Sequence, residues 1–123
     1  MTKIKNNSDA LIANIISGIE DVKGNEIKLL DLREIENTVC DYFIICEGSS
    51  NTQVNAIVSA VQKKVSKEIK DKPWHVEGEN NGEWVLIDYV NVVVHVFQKH
   101  IREYYDIESL WGDAKTTQIE TNY

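Results

Sequence analysis

No apolar run in this chain approaches the ~20 residues needed to span a bilayer. The opening MTKIKNNSDALIANIISG carries two lysines but is broken by Asn, Ser and Asp. It has no continuous apolar core and no small-residue cleavage site, so no secretory signal is expected. Basic residues are in deficit, with 13 Lys and Arg against 20 Asp and Glu and a formal net charge of -7. A protein that grips nucleic acid by its phosphates brings a basic surface. This chain repels phosphates on average, so no direct nucleic-acid contact is expected and a protein partner, itself basic, is favoured. Cysteine occurs only as Cys40 and Cys46. An even offset along one strand puts them on one face but too far apart to bridge at about 3.3 Å per residue. Free thiols in a reducing cytosol follow, and a cytoplasmic location is expected. The three histidines, His75, His95 and His100, have no tight spacing with the cysteines, so no metal site is expected. There is no G-x-x-x-x-G-K-[ST] phosphate loop and no internal repeat.

What remains is an ordinary globular balance of 42% apolar and 27% charged residues. The 123 residues suit one domain with one core. Residues 8–23 read as a helix, with Leu11, Ile12, Ile15, Ile16, Ile19 and Val22 at helical spacing. Ser8 is its expected N-cap and Gly24 its stop. Ile27, Leu29, Leu30 and Leu32 suggest a strand, and Tyr42 to Cys46 a second one covered on both sides. A helix is expected over 51–69, with the stripe Val54, Ile57, Val58, Val61, Val65 and Ile69. Its other side carries Lys63, Lys64, Lys67 and Lys70, read as a solvated face with an acidic partner as the lesser option. The only proline, Pro73, opens a loop-rich stretch, and two strands follow at 84–89 and 92–97. REYYDIESLWGDA is a short helical segment, and residues 115–123 are expected to be a polar, disordered tail.

The two late strands form a hairpin if Val90 and Asn91 make the turn. Tyr89 then faces Val92, Ile87 faces Val94 and Val85 faces Val96, and these six share an apolar side. The other side holds Trp84, Leu86, Asp88, Val93, His95 and Phe97. Its mixture of aromatic, aliphatic and ionisable groups suits a protein contact surface. A second helix covering it, with Asp88 and His95 satisfied by hydrogen bonds, is the alternative. Val90 is awkward in a turn that needs positive φ.

The junction CEGSSNTQ raises an enzymatic alternative. Nucleotidyltransferases place Gly-Ser after a strand, followed by two carboxylates one residue apart that hold magnesium. Here Gly48-Ser49 is present but Asn51-Thr52-Gln53 follows, and Asp41 and Glu47 stand too far apart in sequence to replace the pair. Ser50 and Gln53 have capping-box spacing instead, in which the Gln side chain reaches back to the Ser50 N–H. Cys46, inside an apolar strand, reads as core rather than nucleophile. No catalytic residue and no cofactor is expected.

The chain resembles the ribosomal silencing factor (Iojap-like) family. The blocks that carry the resemblance are DYFIICEGSSNTQVNAI at 41–57, WHVEGENNGEWVLIDY at 74–89, VVVHVF at 92–97 and REYYDIESLWGDA at 102–114. It implies a single α/β domain over residues 1–114, with a mixed sheet flanked by helices, nucleotidyltransferase-like without the catalytic acids. It further implies binding to large-subunit ribosomal protein fourteen, steric exclusion of the small subunit and repression of translation when nutrients are short. Large-subunit assembly is the alternative role, and homodimers are a second expected association. By motif position the partner-binding residues would be Glu77, Gly78, Trp84, Asp88 and His95, with Trp84 as the anchor. Two departures stand out: relatives usually carry Gly-Asp where this chain has Val90-Asn91, and often a basic residue at Thr52.

Overall fold

The computed structural model describes residues 2–123, with side chains from residue 8 onward. Its elements are α1 (Thr2–Asp21), β1 (Asn25–Asp31), β2 (Tyr42–Gly48), α2 (Asn51–Ile69), β3 (His75–Glu77), β4 (Trp84–Asp88), β5 (Val92–Gln98), α3 (Lys99–Tyr105), α4 (Ile107–Leu110) and β6 (Lys115–Gln118). The strands make one six-stranded mixed sheet in the order β3-β4-β5-β2-β1-β6. Among the described residues β2 and β5 run parallel, and the other strand pairings are antiparallel.

The sheet divides the core in two. On one side α1 and α2 pack Leu11, Ile15, Ile19, Val54, Ile57, Val61 and Val65 onto Ile44, Cys46, Val85, Ile87, Val94 and Val96. The apolar side of the hairpin therefore lies under these helices, in the expected register of Val85 opposite Val96 and Ile87 opposite Val94. On the other side α3, α4 and the residue that follows α4 cover Leu30, Phe43, Ile45 and Phe97 through Ile101, Ile107 and Trp111. Strand β2 is buried at every position, as its unbroken apolar run requires.

Several expectations change. Helix α1 starts at Thr2, so Ser8 lies inside it rather than capping it. Its left-handed C-terminal residue is Lys23 (φ 60), while Gly24 donates back to the Ile19 carbonyl at 3.0 Å. Cys40 precedes β2 and joins the second core cluster, whereas Cys46 sits in the first, so the thiols lie on opposite sides of the sheet. Both are buried, and burial pushes their pKa values up to about 11 and about 12. Strand β3 is an addition to the sequence reading. The tail is not disordered. Residues 115–118 form β6 on the β1 edge, Ile119 N–H donates to the Ile27 carbonyl at 2.8 Å, and the Tyr123 hydroxyl to that of Gly24 at 2.5 Å. Polar composition hides an edge strand well, because an edge needs backbone partners more than apolar side chains.

Candidate functional site

Helices α3 and α4 do not reach across the whole sheet. Along β4 the outward residues Trp84, Leu86 and Asp88 stay half-buried, while on β5 Val93, His95 and Phe97 are buried. On β3, His75 and Glu77 are exposed and paired with each other. The ladders set these residues in rows, with Glu77 beside Leu86 beside His95, and His75 beside Asp88 beside Val93. The result is an uncovered half-sheet carrying an indole, an aliphatic group and two carboxylates.

Trp84 is its densest point. The indole stacks on Phe97 at 4.8 Å and meets Tyr105 at 5.0 Å between ring centroids. Its Nε1–H donates to His95 Nδ1 at 3.1 Å. His95, one of the expected contact residues, is only 5% exposed and offers a partner almost no surface of its own. Burial lowers its pKa to about 4, so the ring is neutral at physiological pH. Asp88 and His95 do not pair, because Asp88 faces Val93 and His95 faces Leu86. Asp88 instead accepts the Val90 N–H at 2.7 Å and holds the turn. Val90 has φ 76, and the Asn91 N–H returns to the Tyr89 carbonyl at 3.0 Å, which is the rare three-residue turn of positive φ.

Gly78 has φ 89, and a Cβ there would lie 2.1 Å from the Trp84 carbonyl oxygen. Only glycine lets the loop leaving β3 pass that close to the Trp84 backbone. Beyond the five expected residues, the structure adds Trp74, Val39 and Val90, which are 76%, 85% and 58% exposed. With Asp88 and Val93 they line an open groove of about 270 Å³ at the turn end of the half-sheet. Trp74 stands in the quoted WHVEG block and had a visible signal as an aromatic in a polar stretch. Val39 had none, because it comes from a loop far away in sequence.

The Gly48-Ser49-Ser50 junction is a helix cap. Ser50 Oγ accepts the Gln53 N–H at 3.1 Å. The Gln53 side chain does return, but to Ser49, taking its N–H at 2.7 Å and its hydroxyl at 2.9 Å. It also donates to the Lys23 carbonyl at 3.2 Å. Gly82, at φ 64, brings its loop against Asn51, where a Cβ would meet the Asn51 Cβ at 2.7 Å. The polar groups of this junction are thus engaged in capping α2 and joining it to the end of α1. Glu47 points elsewhere, into an ion pair with Arg102 at 3.0 Å. On α2, Lys64 pairs with Asp21 at 3.0 Å, while Lys63, Lys67 and Lys70 are exposed.

These features define a single-domain α/β protein with a mixed sheet whose β3–β4 end is left partly open on one face. Residues 5–122 match the family described as ribosomal silencing factor during starvation, and the chain belongs to that family. It is similar to the ribosomal silencing factor of Halalkalibacterium halodurans, 40% identical over 110 residues, or 89% of this chain and 92% of that one. A crystal structure of a Chromobacterium violaceum protein aligns with a TM-score of 0.79 at 37% identity, over 92% of each chain. A more distant relative is the mouse protein named mitochondrial assembly of ribosomal large subunit protein 1. It is 32% identical over 74 residues, 58% of this chain and 32% of that longer one. Among the described residues no helix is long and apolar enough to cross a membrane.

Proposed function

We propose that this protein silences translation in the cytoplasm by binding the large ribosomal subunit through large-subunit ribosomal protein fourteen and so excluding the small subunit. The observation that carries this reading is the open half-sheet of Trp84, Leu86, Asp88 and Glu77 on a member of the silencing-factor family. A half-buried indole flanked by a tyrosine and carboxylates is the composition of an interface centre with an acidic rim. Such a rim on a chain of net charge -7 complements a basic ribosomal protein. The mechanism is occupancy, which needs no catalytic group. The capped Gly48-Ser49-Ser50 junction supports a binding role over a nucleotidyltransferase-like one.

Co-sedimentation with purified large subunits, with and without small subunits, tests it. Wild type binds the large subunit and reduces joined ribosomes, and Trp84→Ala weakens both effects. No binding by a folded sample overturns the reading. The likeness to the mouse assembly protein favours a second role in large-subunit assembly. Binding with undiminished joining would select that role. A homodimer built on the apolar groove at Trp74 would show as a concentration-dependent mass.

A further inference from the structure

We infer that His95 is a positioning residue, one that fixes the Trp84 indole in its partner-ready orientation without touching the partner. The inference rests on the proposed role of the half-sheet as the binding face.

The chemistry of the contact leaves one assignment. An indole N–H can only donate, so His95 Nδ1 must be the bare nitrogen and the neutral ring must carry its proton on Nε2. That Nε2 is buried with no hydrogen-bond partner among the described residues. The ring around it is aromatic: Phe43 stands T-shaped at 4.5 Å and Phe97 lies parallel at 6.2 Å. An apolar side chain would fill such a space without an orphaned donor. Core packing alone therefore does not account for a histidine here, whereas an acceptor for Trp84 does.

The stack on Phe97 and the tilted contact with Tyr105 hold the indole plane but do not say which edge points inward. The bond to His95 does. It uses the indole's one donor internally, so what Trp84 offers a partner is apolar surface. Fixing that orientation beforehand removes part of the ordering cost of binding. Phe43 also meets Trp111 at 5.6 Å, so the acceptor is itself braced from the segment after α4.

The test uses the full chain with His95→Leu, which removes the acceptor, and His95→Asn, whose side-chain oxygen can stand near Nδ1. Two readouts are taken: the Trp84 indole N–H resonance and its solvent exchange, and co-sedimentation with large ribosomal subunits. His95→Leu should stay folded, speed exchange of the Trp84 indole N–H, and weaken binding about tenfold. His95→Asn should recover most of both. Wild-type binding by His95→Leu, in an assay where Trp84→Ala binds weakly, would overturn the inference but leave the face intact. Equal weakening by both His95 variants with the indole N–H still protected in His95→Asn would assign the loss to packing and overturn it too. Full binding by Trp84→Ala would overturn the face and the inference together. Should His95→Leu fail to fold, His95→Asn decides: a protected indole with near-wild-type binding supports the inference, and an exposed indole with wild-type binding ends it.

Discussion

Arg102 and Glu47, 55 residues apart in sequence, meet at 3.0 Å beneath α3 with side chains only 7% and 11% exposed. The guanidinium also reaches the Glu26 carbonyl at 2.8 Å and both carboxylate oxygens of Glu108. One arginine thereby ties α3 and α4 to the ends of β1 and β2. Breaking a buried charge cluster from one side leaves uncompensated charge behind. Arg102→Ala should lower unfolding free energy by about 3–5 kcal/mol, read from urea midpoints. A loss under about 1 kcal/mol would show that the cluster is already solvated.

Acid should expose His95 before the carboxylates. Its folded pKa is held down near 4 by burial, against 6.5 for the free ring. Above 6.5 both states are neutral and the group contributes nothing to pH dependence. As pH falls from 6.5 the unfolded chain takes a proton that the folded one refuses, so stability declines. The decline should reach roughly 3 kcal/mol near pH 4. His95→Asn should flatten this limb. Glu108, whose pKa is lowered because bonds from Arg102 and Lys28 outweigh burial, loses its contribution only below the ordinary carboxylate range. Denaturant midpoints across pH 7 to 4 separate the two.

Local pattern made much of this molecule readable. The stripe from Val54 to Val65 marks α2, which runs over Asn51–Ile69, and the alternation around Val90-Asn91 marks the hairpin register. Those signals are short-range and periodic. The sidedness of the sheet was legible only in part. Sequence alternation put His95 and Trp84 on one face, and both are there, but whether α3 covers that face depends on helix length and direction. The short α3 of Lys99–Tyr105 buries the β5 row and reaches the β4 row only where Tyr105 meets Trp84, which leaves Trp84 half-buried while His95 is buried. Strands β3 and β6 are brief edge segments whose main contribution is backbone pairing, so side-chain pattern could not announce them.

Val90 should be a site of easy stabilisation. A β-branched residue at φ 76 is strained, and Val90 is 58% exposed, so little burial compensates it. Val90→Gly should raise thermal stability by about 1 kcal/mol despite glycine's greater freedom in the unfolded chain. Calorimetry checks this directly. If the groove that Val90 lines with Trp74 is part of the ribosome-binding face, the same variant should bind large subunits less well while being more stable. Gains in both would separate the groove from the interface.

Removing residues 115–123 should harm the fold, although their composition is that of a dispensable tail. The deletion strips four register pairs from the β1 edge, from Lys28–Gln118 to Asp31–Lys115. It also removes Ile119 from the α1–α2 core and the Tyr123 hydroxyl bond to Gly24. Partial burial of one isoleucine plus several exposed ladder bonds corresponds to about 2–4 kcal/mol. Strand β1 should then become the open edge, so the truncated protein should also associate more readily with itself. Urea unfolding and light scattering of the truncated and full chains measure the two effects. Unchanged stability in the truncated chain would mean that β6 pairs too weakly to hold its edge, and the domain would then end at Ala114.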